Sequence, residues 1–119
     1  MITKIRKRDG REVPFNLEKI SNAIFRAAQA VGGSDYDEAM ALACAVAELA
    51  EKNAAKTGET PSVEDIQDLV ERVLVEHGHT RTAKEYILYR AERTKVREMN
   101  TKLMRTFEDL TFKSALDSD

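Results

Sequence analysis

Asp9-Gly10 lies between two short β-prone runs, and Asn16-Leu17-Glu18-Lys19-Ile20 follows closely behind. The pair is the strongest local signal for a hairpin, because a two-residue type I′ turn needs positive φ at both central positions. With those residues as the loop, Lys7 faces Glu12, an opposite-charge cross-strand pair that helps fix register. Asn16 is a good helix N-cap, and Phe15 and Ile20 have the spacing of a hydrophobic staple. A chain that opens this way reads as a cationic hairpin feeding directly into a helix whose first turn carries a lysine.

Lys19 then falls in the first helical turn, where the backbone dipole disfavours a cation. With Lys7, Arg8 and Arg11 close in sequence, that placement costs a little unless an anion joins them. The free N–H groups at the same helix end would welcome a phosphate. The plainer alternative is that Lys19 points into water.

The 119-residue chain suits one domain with one core, and its net charge of −2 excludes a generally basic nucleic-acid binder. Charge is unevenly spread: residues 1–20 carry +3, residues 34–76 carry −8 and residues 81–105 carry +5. If the hairpin packs near the last long helix, the two basic segments make one positive face on an acidic body, suited to a compact polyanion; the plainer reading is solvated helix faces. The single cysteine, Cys44, forms no intrachain disulfide and reads as a small buried apolar residue, compatible with a reducing cytoplasm. No signal peptide or membrane-spanning run is visible.

Four helices are expected. Leu17, Ile20, Ile24, Ala27, Ala28 and Val31 recur with helical spacing, and Gly32-Gly33 ends the first helix. Ser34 or Asp35 caps a second, over about 36–56, whose Met40, Ala43, Ala47 and Ala50 form a small-residue face for close packing. Pro61 makes residues 60–62 extended, enough for a short third strand. Ser62 to Asp65 reads as a capping-box variant opening a third helix with the stripe Val63, Ile66, Leu69, Val70, Val73 and Leu74. His77-Gly78-His79 ends it. The fourth helix starts near Thr80 to Thr82, faces the bundle with Ala83, Ile87 and Ala91, and runs to about Arg105. Beyond Thr94 its apolar positions (Val96, Met99, Leu103, Met104 and Phe107) continue past what a compact bundle needs, so residues 95–119 are expected to pack on something absent from this chain.

No Walker-type loop, dinucleotide-binding glycine motif, zinc-ligand set or catalytic triad can be argued, so no catalytic residue and no metal ligand is assigned. What remains is cationic. Tyr86, Arg90, Arg93 and Arg97 share one helical face, with Tyr89 beside it; for each tyrosine alone, core packing with a solvated hydroxyl is the better reading. A triphosphate needs several convergent donors, which guanidinium forks and lysines supply. Ile5, Phe15 and Asn16 are candidates for the wall of a base pocket.

Together, Ile5–Arg11, Phe15–Ile20, Ser62–Glu71 and Ala83–Arg90 resemble, in order, the motifs of the ATP-cone. That family is a nucleotide-binding regulatory domain of ribonucleotide reductases and of a bacterial repressor of their genes. The resemblance covers roughly residues 2–94; Arg6 departs from it, standing where the family usually has an apolar residue. The tail, Arg93–Met99, Leu103–Thr111 and Asp117-Ser118-Asp119, resembles the segment joining the cone to the catalytic barrel of the anaerobic, glycyl-radical (class III) ribonucleoside-triphosphate reductase. The resemblance implies an α+β, mainly α fold: a four-helix bundle capped by a small two- or three-stranded sheet. It implies a cone over 1–94 and a linker over 95–119, leading to a catalytic domain that this fragment lacks. It further implies ATP or dATP as allosteric effectors, with magnesium, in a cytoplasmic protein without catalysis of its own. Lys7, Arg8 and Lys19 would meet phosphates, and Arg90 and Arg93 would complete their site. Asn16 would bond the adenine, Ile5, Arg6 and the backbone at Gly10 would line the pocket, and Val63 and Gln67 would sit beside base and ribose. Partners would be nucleoside triphosphates, the parent's catalytic domain and other cones, with no membrane or nucleic acid. The alternatives are the cone of a transcriptional regulator, which would carry a four-cysteine zinc ribbon ahead of it, or a helical nucleic-acid-binding module.

Overall fold

The charged opening forms strands β1 (Lys4–Arg6) and β2 (Glu12–Pro14), followed by helices α1 (Leu17–Ala30), α2 (Tyr36–Thr57), α3 (Val63–Glu76) and α4 (Thr80–Asp117). The computed structural model describes residues 2–117, with side chains through Thr106. Four helices and a small antiparallel sheet make the fold mainly α, as expected. The chain divides into a unit of residues 1–87, holding the sheet, α1 to α3 and the opening turns of α4, and a second unit of residues 88–119.

The hairpin register differs from expectation by one residue. The pairs are Lys4–Pro14, Ile5–Val13 and Arg6–Glu12, so Arg6 rather than Lys7 opposes Glu12. The loop has three residues, Arg8 to Gly10. Gly10 N–H bonds Lys7 O (2.9 Å) and Lys7 N–H bonds Arg11 O (2.7 Å). Within the loop only Gly10 takes a positive φ, +88°, and among the described residues no non-glycine does. This is a type I turn closed by a left-handed glycine, the usual three-residue hairpin loop. Asp9 decides it: its carboxylate accepts from the Arg11 amide (3.0 Å) and pairs with the Arg11 guanidinium, holding Asp9 out of the left-handed region. A one-residue slip exchanges the faces of a strand. The observed register puts Ile5 and Val13 together on the half-buried face and leaves Lys4, Arg6, Glu12 and Pro14 exposed.

The expected third strand is a single parallel bridge from Arg6 to Ser62, with Arg6 N–H bonding Pro61 O (2.9 Å). It fastens the hairpin to the start of α3. Three of the helix ends were foreseen and are built as expected. Asn16 Oδ1 accepts from Glu18 N–H (3.0 Å), and Ser62 and Asp65 form a reciprocal capping box. Val31 closes α1, with Gly32 N–H bonding Gln29 O and Gly33 N–H bonding Ala28 O, the two bonds of a Schellman ending.

α2 packs against both α1 and α3, so it is the central helix. Its buried face is Ala39, Leu42, Ala43, Val46 and Ala50, rotated from the expected one; Met40 and Ala47 are only half-buried. The larger Leu42 and Val46 capture the core, because burying them removes more apolar area than alanine can. The same rotation leaves Cys44 exposed, correcting the expectation of a buried thiol. Ile24, Val70, Val73 and Leu74 complete the core from α1 and α3. On α4 the core residues are Ala83 and Tyr86, with Thr82 also buried. Ile87, expected inward, is 46% exposed, and Ala91 is exposed as well. The large ring of Tyr86 sets which stripe turns inward.

α4 continues well past Arg105, to Asp117. In the second unit Leu88, Val96, Met99, Leu103 and Met104 are exposed. Phe107 and the tail motif from residue 107 onward lie outside the described side chains. Among the described residues no helix is long and apolar enough to cross a membrane.

Candidate nucleotide site

Local bonding ties the hairpin that carries Ile5 to Gly10 to the starts of α1 and α3. The hairpin runs through Phe15 into α1, and Phe15 N–H bonds back to Thr3 O (2.9 Å). The Arg6 bond to Pro61 and the Arg8 contact with Glu64 bring the same hairpin to the first turn of α3. Two helix N-termini, with their unsatisfied N–H groups, are thus joined to one cationic hairpin.

Each residue has a definite condition there. Ile5 and Phe15 are half-buried and pack against the core. Arg6 is exposed opposite Glu12, and Lys7 is exposed at the strand end. Arg8 Nε donates to Glu64 Oε1 at 2.6 Å. Gly10 already spends its N–H on Lys7 O. Asn16 spends its carbonyl on the helix cap, so its amide NH₂ is what it can offer a ligand. Lys19 is exposed at the third position of α1. Val63 is half-buried at the first position of α3. Gln67, one turn on, has a buried Oε1 with no hydrogen-bond partner among the described residues. A buried acceptor without a protein donor is uncommon in a native fold, and such a group takes its hydrogen bond from water or a ligand. Arg90 and Arg93 lie on α4 in the second unit, Arg90 half-buried and Arg93 exposed.

Glu64 is not among the site residues expected from the sequence. Its pairing spans 56 residues, which no local pattern announces. Tyr36 was also missed. Its hydroxyl meets Ser21 Oγ (3.0 Å) and donates to Asn22 Oδ1 (3.1 Å), and its ring stands edge-on to Phe25, tying α1 to α2. His77 and His79 are helix-end residues as expected: His77 Nδ1 lies 2.9 Å from Val73 O, and His79 Nε2 lies 3.2 Å from Glu38.

An open groove of about 460 Å³ lies elsewhere, between β1 and the end of α2. Its lining includes Glu51 and Glu59 against Lys4 alone, a poor wall for phosphate. The hairpin and the α1 mouth, with Lys7, Arg8 and Lys19 exposed there, are better matched to an anion.

A cationic hairpin is tied to the starts of α1 and α3, and α3 carries a buried acceptor, Gln67 Oε1, with no partner among the described residues. The chain belongs to the ATP-cone family: the family described as ATP cone domain matches residues 3–95. A vitamin B12-dependent ribonucleoside-diphosphate reductase of Thermoplasma acidophilum is 44% identical over 116 residues, covering 92% of this chain and 14% of its own length. The enzyme of the same description from Mycobacterium tuberculosis is 42% identical over 79% of this chain and 13% of its own. An anaerobic ribonucleoside-triphosphate reductase of Salmonella typhimurium is 36% identical over 87% of this chain and 14% of its own. The chain therefore spans about one-seventh of these relatives.

Proposed function

We propose that this cone takes ATP or dATP where the hairpin meets α1 and α3, and that the bound nucleotide sets the activity of an attached ribonucleotide reductase. The unpartnered Gln67 Oε1 carries the reading. Adenosine nucleotides offer donors in the adenine amino group and the ribose hydroxyls, and acceptors in the ring nitrogens. Gln67 needs a donor and Asn16 has a donor to give, so the two complement such a ligand. Lys7, Arg8 and Lys19 supply charge for the phosphates, and the α1 mouth supplies oriented N–H groups. Ile5, Arg6, Gly10 and Val63 line the pocket, and Arg90 and Arg93 are further phosphate ligands on the strength of the resemblance. Magnesium would accompany the triphosphate. Among the described residues no three His, Cys, Asp or Glu side chains form a group that could hold a metal ion.

The cone comprises residues 1–94, and residues 95–119 lead toward a catalytic domain; the fragment itself is non-catalytic. ATP and dATP differ by one ribose hydroxyl, so that group has to bias two arrangements of the domain for the two effectors to act differently. Docking of cones on one another or on the catalytic body is the readout.

The test is an ATP titration followed by backbone amide shifts. The expected perturbations centre on Lys7, Arg8, Asn16, Lys19, Val63 and Gln67; perturbations confined to the groove around Glu51 and Glu59 would refute the assignment.

The resemblance of the tail makes the parent an anaerobic triphosphate reductase. A second reading, a vitamin B12-dependent diphosphate reductase, is favoured by the Thermoplasma match over 92% of the chain. A glycyl-radical signal in the full-length enzyme supports the first, and dependence on adenosylcobalamin supports the second.

A further inference from the structure

We infer that Glu64 is a latch on Arg8, holding the hairpin tip to the first turn of α3 until a phosphate takes the guanidinium. This rests on the nucleotide reading above. Arg8 opens the three-residue loop, and its Nε reaches Glu64 Oε1 at 2.6 Å. The helix start does not require that carboxylate for its cap, because Asp65 returns the capping bond to Ser62 N–H and Ser62 Oγ accepts from Asp65 N–H. Glu64 is therefore available to the hairpin.

The other ties between these segments are of a different kind. Arg6 N–H to Pro61 O is a main-chain bond, and Thr60 Oγ1 to Glu12 (3.4 Å) involves no cation. A bound phosphate leaves both in place. The Arg8 pair is the contact it would contest, since both want the same guanidinium. The pair is accessible, with side chains 48% and 36% exposed, and ion pairs of that kind are weak. A phosphate chain, multiply charged and able to accept two parallel N–H bonds, wins the competition. Binding then frees Glu64 and loosens the hairpin tip from α3, converting occupancy into a change at the join of cap and bundle.

The latch makes Glu64 an opponent of binding. Calorimetry of ATP on the 119-residue chain should show Glu64→Gln binding about two- to fivefold tighter than wild type, the range an exposed ion pair allows. Glu76→Gln makes the same charge change at the far end of α3, where Glu76 pairs with Arg72, and should leave affinity unchanged. Equal or weaker binding by Glu64→Gln overturns the latch, as does equal tightening by Glu76→Gln. The Arg8 Nε–H resonance gives an independent readout: its slow solvent exchange should be lost in Glu64→Gln, and unchanged exchange contradicts the pair. Failure of the wild type to bind ATP overturns the nucleotide reading and the latch with it, whereas binding without the Glu64 effect overturns the latch alone.

Discussion

Lys19 occupies a position that folding alone does not favour. At the third residue of α1 its charge opposes the helix dipole, while α3 fills the same end with Glu64 and Asp65. Lys19→Ala should therefore weaken ATP binding by about 1–3 kcal/mol while leaving stability unchanged or raising it by about 0.3–1 kcal/mol. Calorimetry and thermal unfolding check the two signs, and a loss of stability with full affinity would make Lys19 structural. Arg8→Ala should also weaken binding by about 1–3 kcal/mol, less whatever release of Glu64 returns. Asp9 offers a pH prediction. The Arg11 amide bond, then the Arg11 guanidinium, hold its carboxyl below the ordinary value of 3.8. A carboxylate depressed in the folded state adds stability above its unfolded pKa and loses it as pH falls through the folded one. Hairpin order should thus persist near neutrality and decline below about pH 4, with a carboxyl titration midpoint for Asp9 under that of an unfolded peptide. At this scale the sequence was half legible. Asp9-Gly10 announced a hairpin, but the bond from Asp9 to Arg11 selected the three-residue loop and moved every pairing by one.

Among the elements, helix ends were more readable than helix faces. Asn16, the Ser62–Asp65 box and Gly32-Gly33 act through bonds within a few residues of each other, so the local pattern contains the physics. Ser62→Ala should cost about 1 kcal/mol of global stability, measured by denaturant unfolding, with little effect on helix content. No change would mean that Asp65 and water satisfy the α3 mouth unaided. Faces depend on neighbours instead. α2 is so rich in alanine that its hydrophobic stripe is poorly defined, and contact with α1 and α3 chose Leu42 and Val46 over Met40 and Ala47. That choice put Cys44 outside. On α4, Tyr86 rather than Ile87 turned inward for the same reason. The third strand shrank to one bridge because the 60–62 segment runs directly into the cap of α3.

For the molecule as a whole, the order of the motifs carried more than any one of them. Residues 3–95 match the ATP cone domain, and the relatives include a vitamin B12-dependent diphosphate reductase and an anaerobic triphosphate reductase. The matched segment is thus shared by reductases of different description. The acidic centre of the chain and its basic ends were visible in composition, and the hairpin end of that pattern lies with the mouths of α1 and α3. What composition could not convey was the long-range contact of Arg8 with Glu64 or the empty bonding capacity of Gln67, both products of the fold. The central claim, that cations on the hairpin and the α1 mouth hold a triphosphate, is tested most directly by calorimetry of the unmodified chain against ATP, dATP and a short DNA duplex. The account predicts saturable binding of both nucleotides and none of the duplex; duplex binding with a steep salt dependence, and no nucleotide binding, would contradict it.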